Sequence, residues 1–94
     1  MELEQLRIFL AVAEYGGFTE AAKRLFVSHS TTSRAVSALE RELDTALFER
    51  AGRSVTLTPA GEVLRDWAQA LLKEAEAIAE TFRSIGRSVN RSKP

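Results

Sequence analysis

The chain has 94 residues, which is enough for one small domain with a single hydrophobic core. It contains no cysteine and one histidine, so a disulfide framework, a thiolate metal site and a multi-histidine zinc site are all excluded. The 13 basic and 13 acidic residues give a formal net charge of zero, which argues against a strongly basic nucleic-acid-binding domain but allows one basic face.

The sequence gives no sign of a membrane segment or of catalysis. No apolar run approaches the roughly 20 residues that a membrane span needs, and the N-terminus carries glutamates where a signal peptide carries basic residues. No nucleophile–base pair or paired-carboxylate pocket is evident. We therefore expect a cytoplasmic protein that is not an enzyme, does not contact a membrane and needs neither a cofactor nor a metal.

Three helices are predicted in the first half of the chain. Apolar residues at three- and four-residue spacing indicate a helix over 3–15, which a pair of glycines ends. A second, short helix is predicted at about 20–26, with Thr19 as its N-cap. Ser28 is predicted to cap a third helix, which runs over about 29–43.

A β-hairpin is predicted to follow the third helix. Residues 48–50 and 55–57 are two short alternating runs, and residues 51–54 between them are typical of a hairpin tip. The three helices and the hairpin together would occupy residues 1–58 as one domain.

A long helix is predicted over 59–86, since Thr58 and Pro59 are typical of a helix start. Its apolar stripe repeats like a heptad and extends farther than a small domain can cover, although the Trp67 end could pack on that domain. We therefore expect a homodimer through this helix, followed by a flexible tail over 87–94. The predicted dimerisation residues are Trp67, Leu71, Ala75, Ile78, Phe82 and Ile85.

Two short helices joined by a tight turn indicate a helix-turn-helix at about 18–37, because small polar residues open the second of them. Residues near the start of such a helix can reach base edges in the major groove of double-stranded DNA. The hairpin would act as a wing on the flanking groove or backbone. Alternatives are helix capping for the hydroxyls and an ion pair with Glu40 or Glu42 for Arg50. The predicted DNA-binding residues are Ser28, His29, Ser30, Thr31, Ser33, Arg34, Ser37, Arg50 and Arg53.

Several short motifs along the chain together match one protein family. They are Leu6-x-x-Phe9, Ala13-x-x-x-Gly17-Phe18-Thr19-x-Ala21-Ala22-x-x-Leu25, Val27-Ser28, Ser33-Arg34, Leu39-Glu40-x-x-Leu43, Leu47-Phe48-Glu49-Arg50 and Leu57-Thr58-Pro59-Ala60-Gly61. On these residues the chain resembles the DNA-binding domain of the LysR-type transcriptional regulators. The resemblance implies a mainly α winged helix-turn-helix that binds DNA as a dimer, with antiparallel pairing of the long linker helices.

The chain departs from the family at several positions. After Ser28 the family usually has Gln, Pro, a small residue and an apolar residue, whereas residues 29–32 here are His, Ser, Thr and Thr. Asp44 stands where a glycine usually ends the third helix. The family also continues into a larger domain that binds a small-molecule effector. That domain is absent here, so we expect a fragment or an unusual stand-alone form.

Two functions follow from these observations. The first is sequence-specific binding of double-stranded DNA by the helix that follows Ser28 and by the wing. The alternative is a winged-helix protein-interaction and dimerisation module without DNA affinity, which the neutral charge and the unusual residues 29–32 favour a little.

Overall fold

A computed structural model of the chain describes residues 1–91. Within this range the architecture is the predicted one, a mainly α winged helix-turn-helix with a long C-terminal helix. The elements are α1 (Leu3–Tyr15), α2 (Phe18–Leu25), α3 (His29–Leu43), β1 (Phe48–Ala51), β2 (Ser54–Leu57) and α4 (Pro59–Arg91).

Helix α1 lies at the centre of the core and packs against α2, α3 and α4. Phe9 and Val12 are completely buried, and the Phe9 ring lies 5.3 Å from that of Phe48 on the hairpin. Burial of apolar area of this kind is the main source of stability in a small domain. The other members of the core are Leu6, Ile8, Ala11, Phe18, Ala21, Ala35, Val36, Leu39, Leu47, Val55 and Ala68.

The turn between α1 and α2 ends α1 as predicted, but α2 begins earlier than predicted. Gly16 ends α1 in the left-handed conformation, with φ of 71°, as expected for a glycine cap. Helix α2, however, begins at Phe18 with Gly17 as its N-cap, and the predicted Thr19 cap is wrong. The earlier start places the Phe18 ring in the core at the first turn, where it is 5% exposed.

The predicted N-cap at Ser28 is confirmed. Its hydroxyl accepts a hydrogen bond from the Thr31 amide at 3.0 Å and lies 2.9 Å from the Thr31 hydroxyl. Thr32 is completely buried, and its hydroxyl donates to the Ser28 carbonyl at 3.1 Å. The polar residue therefore occupies the core-facing position without leaving its hydroxyl unpaired.

Helix α3 ends as expected at Asp44, which adopts the left-handed conformation with φ of 52°. The chain then turns back, and the Leu47 amide donates to the Glu40 carboxylate at 2.8 Å. Glu42 forms an ion pair with the N-terminal amine of Met1 at 2.7 Å. These contacts engage both carboxylates that were candidate partners for Arg50.

The hairpin is confirmed with strands one residue longer than predicted at the tip, so that Gly52 and Arg53 form the turn. Its register pairs Phe48 with Leu57 and Ala51 with Ser54. The Val55 amide donates to the Gly16 carbonyl at 2.9 Å. This bond fastens the wing to the turn between α1 and α2.

Helix α4 begins at Pro59 as predicted, after Thr58, whose hydroxyl accepts from the Gly61 amide at 3.0 Å. It continues to Arg91, so the helix end predicted at residue 86 is wrong. Of the predicted flexible tail, residues 87–91 are helical, and 92–94 lie outside the described residues. The helix packs on the core through Ala68 and Leu64. The molecule consequently extends 61 Å along its long axis.

Candidate nucleic-acid interface

The first two turns of α3 divide into a buried face and a solvent face. Ala35, Val36 and Thr32 face the core, with relative exposures of 9% or less. On the other side, His29, Ser30, Arg34 and Ser37 are exposed, and Thr31 and Ser33 are half-buried. The exposed polar residues of this helix are therefore available to a partner. Ser30 and Arg34 are among them, as the sequence predicted.

The hydroxyls on this face are not equivalent. The hydroxyls of Ser28 and Thr31 are bonded to each other and hold the helix cap. Helix capping, the alternative to DNA contact that the sequence left open, therefore accounts for both. Ser30, Ser33 and Ser37 have no side-chain hydrogen bond within the described residues. These three are the hydroxyls that a ligand on α3 could use without competing with the cap.

Phe18 is the platform that joins α3 to the wing. Its ring centroid lies 6.1 Å from that of His29, and the Arg50 guanidinium stands 4.6 Å above the same ring. The distance from Arg50 to the ring is that of a cation–π contact. The predicted alternative of an ion pair between Arg50 and Glu40 or Glu42 is wrong, because Arg50 lies over Phe18 while the Leu47 amide and the N-terminal amine engage the two carboxylates.

Arg53 lies at the tip of the wing, close to the start of α2. A side-chain carbon at Gly17 would lie 3.2 Å from the Arg53 carbonyl oxygen, so a glycine allows this approach. A cleft of about 160 Å³ lies between the wing and the two helices, lined among others by Thr19, His29, Arg50 and Arg53. None of the residues that line it is acidic.

The arginines of α3 and the wing differ from most other arginines of the described chain in that they form no ion pair with a carboxylate. Arg34, Arg50 and Arg53 form no ion pair with any carboxylate of residues 1–91, and Arg41 at the far end of α3 forms none either. The arginines that do pair with carboxylates are Arg7, Arg24, Arg65, Arg83 and Arg87.

The pKa shifts resolved in the molecule belong to that paired set. Hydrogen bonds from Arg83 and Arg87 lower the pKa of the Glu80 carboxyl, and the carboxylates of Glu80 and Glu76 raise the pKa of Arg83. This ion cluster lies on α4. Among the described residues, Arg34, Arg50 and Arg53 take part in no such cluster.

Of the residues that the sequence proposed for this surface, the structure brings together His29, Arg50 and Arg53 in one cleft, while Ser37 lies nearer the far end of α3, beside Glu40 and Arg41. The structure adds two that sequence reasoning missed as part of the surface, Phe18 as the shared aromatic platform and Thr19 in the cleft. The motif Gly17-Phe18-Thr19 could have indicated that Phe18 and Thr19 belong to this surface, because a glycine before a helix start permits close approach of another chain segment. Only the three-dimensional packing shows that the segment is the wing.

The stripe predicted for dimerisation lies on α4, away from this surface. Trp67 is 72% exposed and Phe82 67% exposed, whereas Ala75 is half-buried. The Trp67 end of α4 does pack on the winged domain, but it does so through Ala68 and Leu64, while the Trp67 side chain itself faces away from the core. The other exposed members of the stripe are Leu71, Ile78 and Ile85.

Other site types find no support in the described part of the chain. Among residues 1–91, no group of three or more His, Asp or Glu side chains could hold a metal ion. Over the same residues, no helix has the length and apolar character needed to cross a bilayer.

The fold and the exposed face of α3 define a winged helix-turn-helix domain. Residues 3–62 match the family described as bacterial regulatory helix-turn-helix protein, lysR family. This match covers more than half of the chain, and the chain therefore belongs to the LysR family.

Curated relatives extend the likeness over nearly the whole chain. The HTH-type transcriptional regulator TfdT of Cupriavidus pinatubonensis is 50% identical over 87 residues, which are 93% of this chain and 38% of that protein. The HTH-type transcriptional regulator BudR of Klebsiella aerogenes is 43% identical over 90 residues, which are 96% of this chain and 63% of that protein. The chain thus spans less than two thirds of the length of these relatives.

Solved structures show the same fold. The chain in a CbnR DBD–DNA complex superimposes with a TM-score of 0.86 at 40% identity, covering 92% of this chain and 99% of that one. The chain in a complex of the BenM DBD with catB site 1 DNA gives a TM-score of 0.87 at 37% identity, covering 92% and 96%.

Proposed function

We propose that this chain binds double-stranded DNA as the DNA-binding part of a bacterial transcriptional regulator. The start of α3 enters the major groove, and the wing contacts the flanking groove or backbone. The main support for the proposal is the solvent face of α3, where Ser30, Arg34 and Ser37 are exposed. The start of this helix also shares a cleft with Arg50 and Arg53 of the wing, which form no ion pair among the described residues.

The shape of this face suits a groove. Ser30 and Ser33 are short, so the backbone of α3 can approach the base edges and phosphates closely. Arg34 lies one turn farther along the same helix and carries a fork of donors that fits guanine or a phosphate. Ser28 and Thr31 contribute indirectly, since their hydroxyls hold the helix start in shape.

The charge of the surface supports the same function. Phosphate contacts account for much of protein–DNA affinity, and an unpaired arginine can make them without breaking an existing ion pair. Arg50 and Arg53 of the wing line one cleft with His29 at the start of α3, and no acidic residue lines it, so a neutral chain still presents a locally basic surface.

Solved structures of similar proteins also support the proposal. Two proteins that match this chain over 92% of its length are named in their structures as complexes with DNA. We carry that ligand over to this chain because its helix-turn-helix and wing align with theirs throughout.

A homodimer through α4 is the second part of the proposal. Trp67, Ile78 and Phe82 expose most of their apolar area on a helix that extends beyond the globular part. A second copy would cover this stripe and place two α3 helices on one face of the duplex. An effector, if the regulator responds to one, would bind in a portion of the longer proteins that this chain does not span.

Arg34 and Arg41 provide a matched test, because both are exposed arginines on α3 without an ion pair among the described residues. A duplex enriched from a random library by the wild-type chain serves as the ligand. We expect Arg34→Ala to weaken binding by about 10- to 100-fold and Arg41→Ala to change it little. The measurement is a binding isotherm followed by fluorescence anisotropy.

Two outcomes would contradict the proposal. If no duplex is enriched and neither variant binds, the protein-interaction module without DNA affinity becomes the better account. If Arg41→Ala weakens binding as much as Arg34→Ala, the DNA contact lies elsewhere on α3 than at its opening turns.

A further inference from the structure

Phe18 is held in the core by other aromatic rings. Its ring lies 6.1 Å from that of Phe48 in an edge-on arrangement, and the Phe48 ring lies 5.3 Å from that of Phe9. All three side chains are buried. Because close packing keeps buried side chains in fixed rotamers, the Phe18 ring is a rigid support for a group that contacts it from outside the core.

Arg50 is the group that contacts this ring from the wing. In the hairpin Arg50 pairs with Val55, and side chains directly opposite each other, or two residues apart on one strand, lie on the same face. Arg50 therefore shares the face of the hairpin on which Phe48 and Val55 are buried. It is the exposed last position of an otherwise apolar face, with its guanidinium carbon 4.6 Å from the centre of the Phe18 ring.

The Arg50 guanidinium keeps its hydrogen-bonding capacity in this position. Among residues 1–91 its side chain forms no ion pair and donates no hydrogen bond, so its N–H donors are available to a ligand. The adjoining cleft is also lined by Thr19 and Arg53, and by no acidic residue. Such donors suit an anionic oxygen, and a duplex bound by α3 offers phosphates to the wing.

We propose that Phe18 is a positioning residue for DNA binding, whose ring holds the Arg50 guanidinium at this cleft so that Arg50 contacts a phosphate. The inference rests on the proposed function and goes beyond it, because it makes a wing contact depend on a buried side chain that does not itself touch DNA. A cation–π contact restrains a flexible arginine before binding, so less conformational entropy is lost when the phosphate contact forms.

The contact between Arg50 and Phe18 also has a purely structural alternative. Arginine side chains can cover apolar surface with their aliphatic part while the charged end stays in water. Arg50 would then shield Phe18 from solvent and contribute nothing to DNA affinity. The two accounts differ in whether Phe18 and Arg50 act on binding together, which a double-mutant cycle measures.

The test is a set of binding isotherms of the intact chain and its variants with an enriched duplex, followed by fluorescence anisotropy at several salt concentrations. Arg50→Met keeps an unbranched stem and removes the charge. We expect it to weaken binding about 3- to 10-fold and to reduce the salt dependence of log affinity by about 0.9, the contribution of one phosphate contact. Phe18→Leu removes the ring but stays apolar. We expect a loss of about 3- to 10-fold, and almost no further loss when Arg50→Met is already present.

Phe9→Leu is the matched control, because it removes a ring of the same buried series that has no cation–π contact within residues 1–91. We expect it to lower the thermal unfolding midpoint but to leave affinity within about twofold and the salt dependence unchanged. Binding is measured at a temperature at which circular dichroism shows each variant to be folded. If Phe18→Leu does not fold, Phe18→Met, with its adaptable unbranched side chain, replaces it.

Each remaining outcome overturns the inference. An Arg50→Met variant with wild-type affinity and salt dependence shows that Arg50 only covers the ring. Additive losses from Phe18→Leu and Arg50→Met show that the ring acts on binding without Arg50. An equal loss in Phe9→Leu assigns the effect to core packing. If the wild-type chain enriches no duplex, the proposed function itself fails and this inference fails with it.

Discussion

At the scale of single residues, the turn of the helix-turn-helix contains an unusual side chain. Phe26 ends α2 in the left-handed conformation, with φ of 56°, and 95% of its surface is exposed. A side chain in this conformation costs about 1–2 kcal/mol, and an exposed ring contributes no compensating burial. The turn is therefore held by the packing of the flanking helices and by the bond from the Val27 amide to the Ala22 carbonyl at 3.1 Å.

We expect Phe26→Gly to raise the free energy of unfolding by about 0.5–1 kcal/mol, because glycine adopts the left-handed conformation without strain but is freer in the unfolded chain. Gly16→Ala, at another left-handed position with φ of 71°, should lower it by about 1 kcal/mol. Urea denaturation at equal protein concentration measures both. A destabilised Phe26→Gly variant would show that the ring contributes to the fold.

The surface of α3 was predictable residue by residue, whereas the position of the wing arginines was not. Periodicity alone assigns Ala35 and Val36 to the core and Arg34 to solvent, since one helix has one buried face. The partner of Arg50 depends on contacts between segments far apart in the chain. Its place over Phe18 needed the packed structure, because a cation–π contact leaves no spacing signature in the sequence.

At the scale of elements, the junction between the wing and α4 depends on one glycine. A side-chain carbon at Gly61 would collide with the Leu47 carbonyl oxygen and would lie 2.9 Å from a methyl carbon of Leu57. Thr58 closes the same junction by donating to the Ala46 carbonyl at 2.7 Å. The close approach sets the direction in which α4 leaves the domain.

We expect Gly61→Ala to lower the free energy of unfolding by about 1–3 kcal/mol, because the atoms it meets include rigid backbone. Gly86→Ala is the matched control on the same helix. A side chain there meets nothing within 4 Å, so helix propensity dominates and we expect a gain of up to about 1 kcal/mol in helix stability. Thermal unfolding followed by circular dichroism distinguishes them. Equal effects at the two positions would contradict the close packing at Gly61.

Element ends were harder to predict than element types. All three predicted helices of the domain and the hairpin are present, since their apolar periodicities are strong. The predicted end of α4 was residue 86, which is a glycine, but a glycine in a long exposed helix costs only about 1 kcal/mol and does not stop it. The ion pairs of Arg83 and Arg87 with Glu80 stabilise the helix around that point.

At the scale of the whole molecule, α4 divides into a part that completes the core and a part that extends beyond it. Ala68 is 1% exposed, while Ile78 and Phe82 farther along are more than half exposed. An apolar stripe of this kind is costly in water and is typical of an interface. The sequence predicted the stripe and expected the Trp67 end of the helix to pack on the domain, but it did not identify Ala68 as the residue that meets the core.

We expect the wild-type chain to sediment as a dimer at micromolar concentration and Phe82→Glu to shift it to a monomer, since a carboxylate would be buried in the paired interface. Thr81→Glu adds the same charge one position away, outside the apolar stripe, and should leave the dimer intact. Analytical ultracentrifugation measures all three. A wild-type monomer up to about 100 µM would remove the proposed pairing of α4.

In the proposed complex, the opening turns of α3 and the wing are the surface that contacts DNA. An NMR titration of the isotopically labelled chain with an enriched duplex tests it most directly, because every amide reports its own surroundings. We predict the largest shift changes at residues 28–34 and 50–53, with small changes at the outer half of α4. Large changes confined to α4, with the α3 and wing amides unmoved by a bound duplex, would contradict the claim.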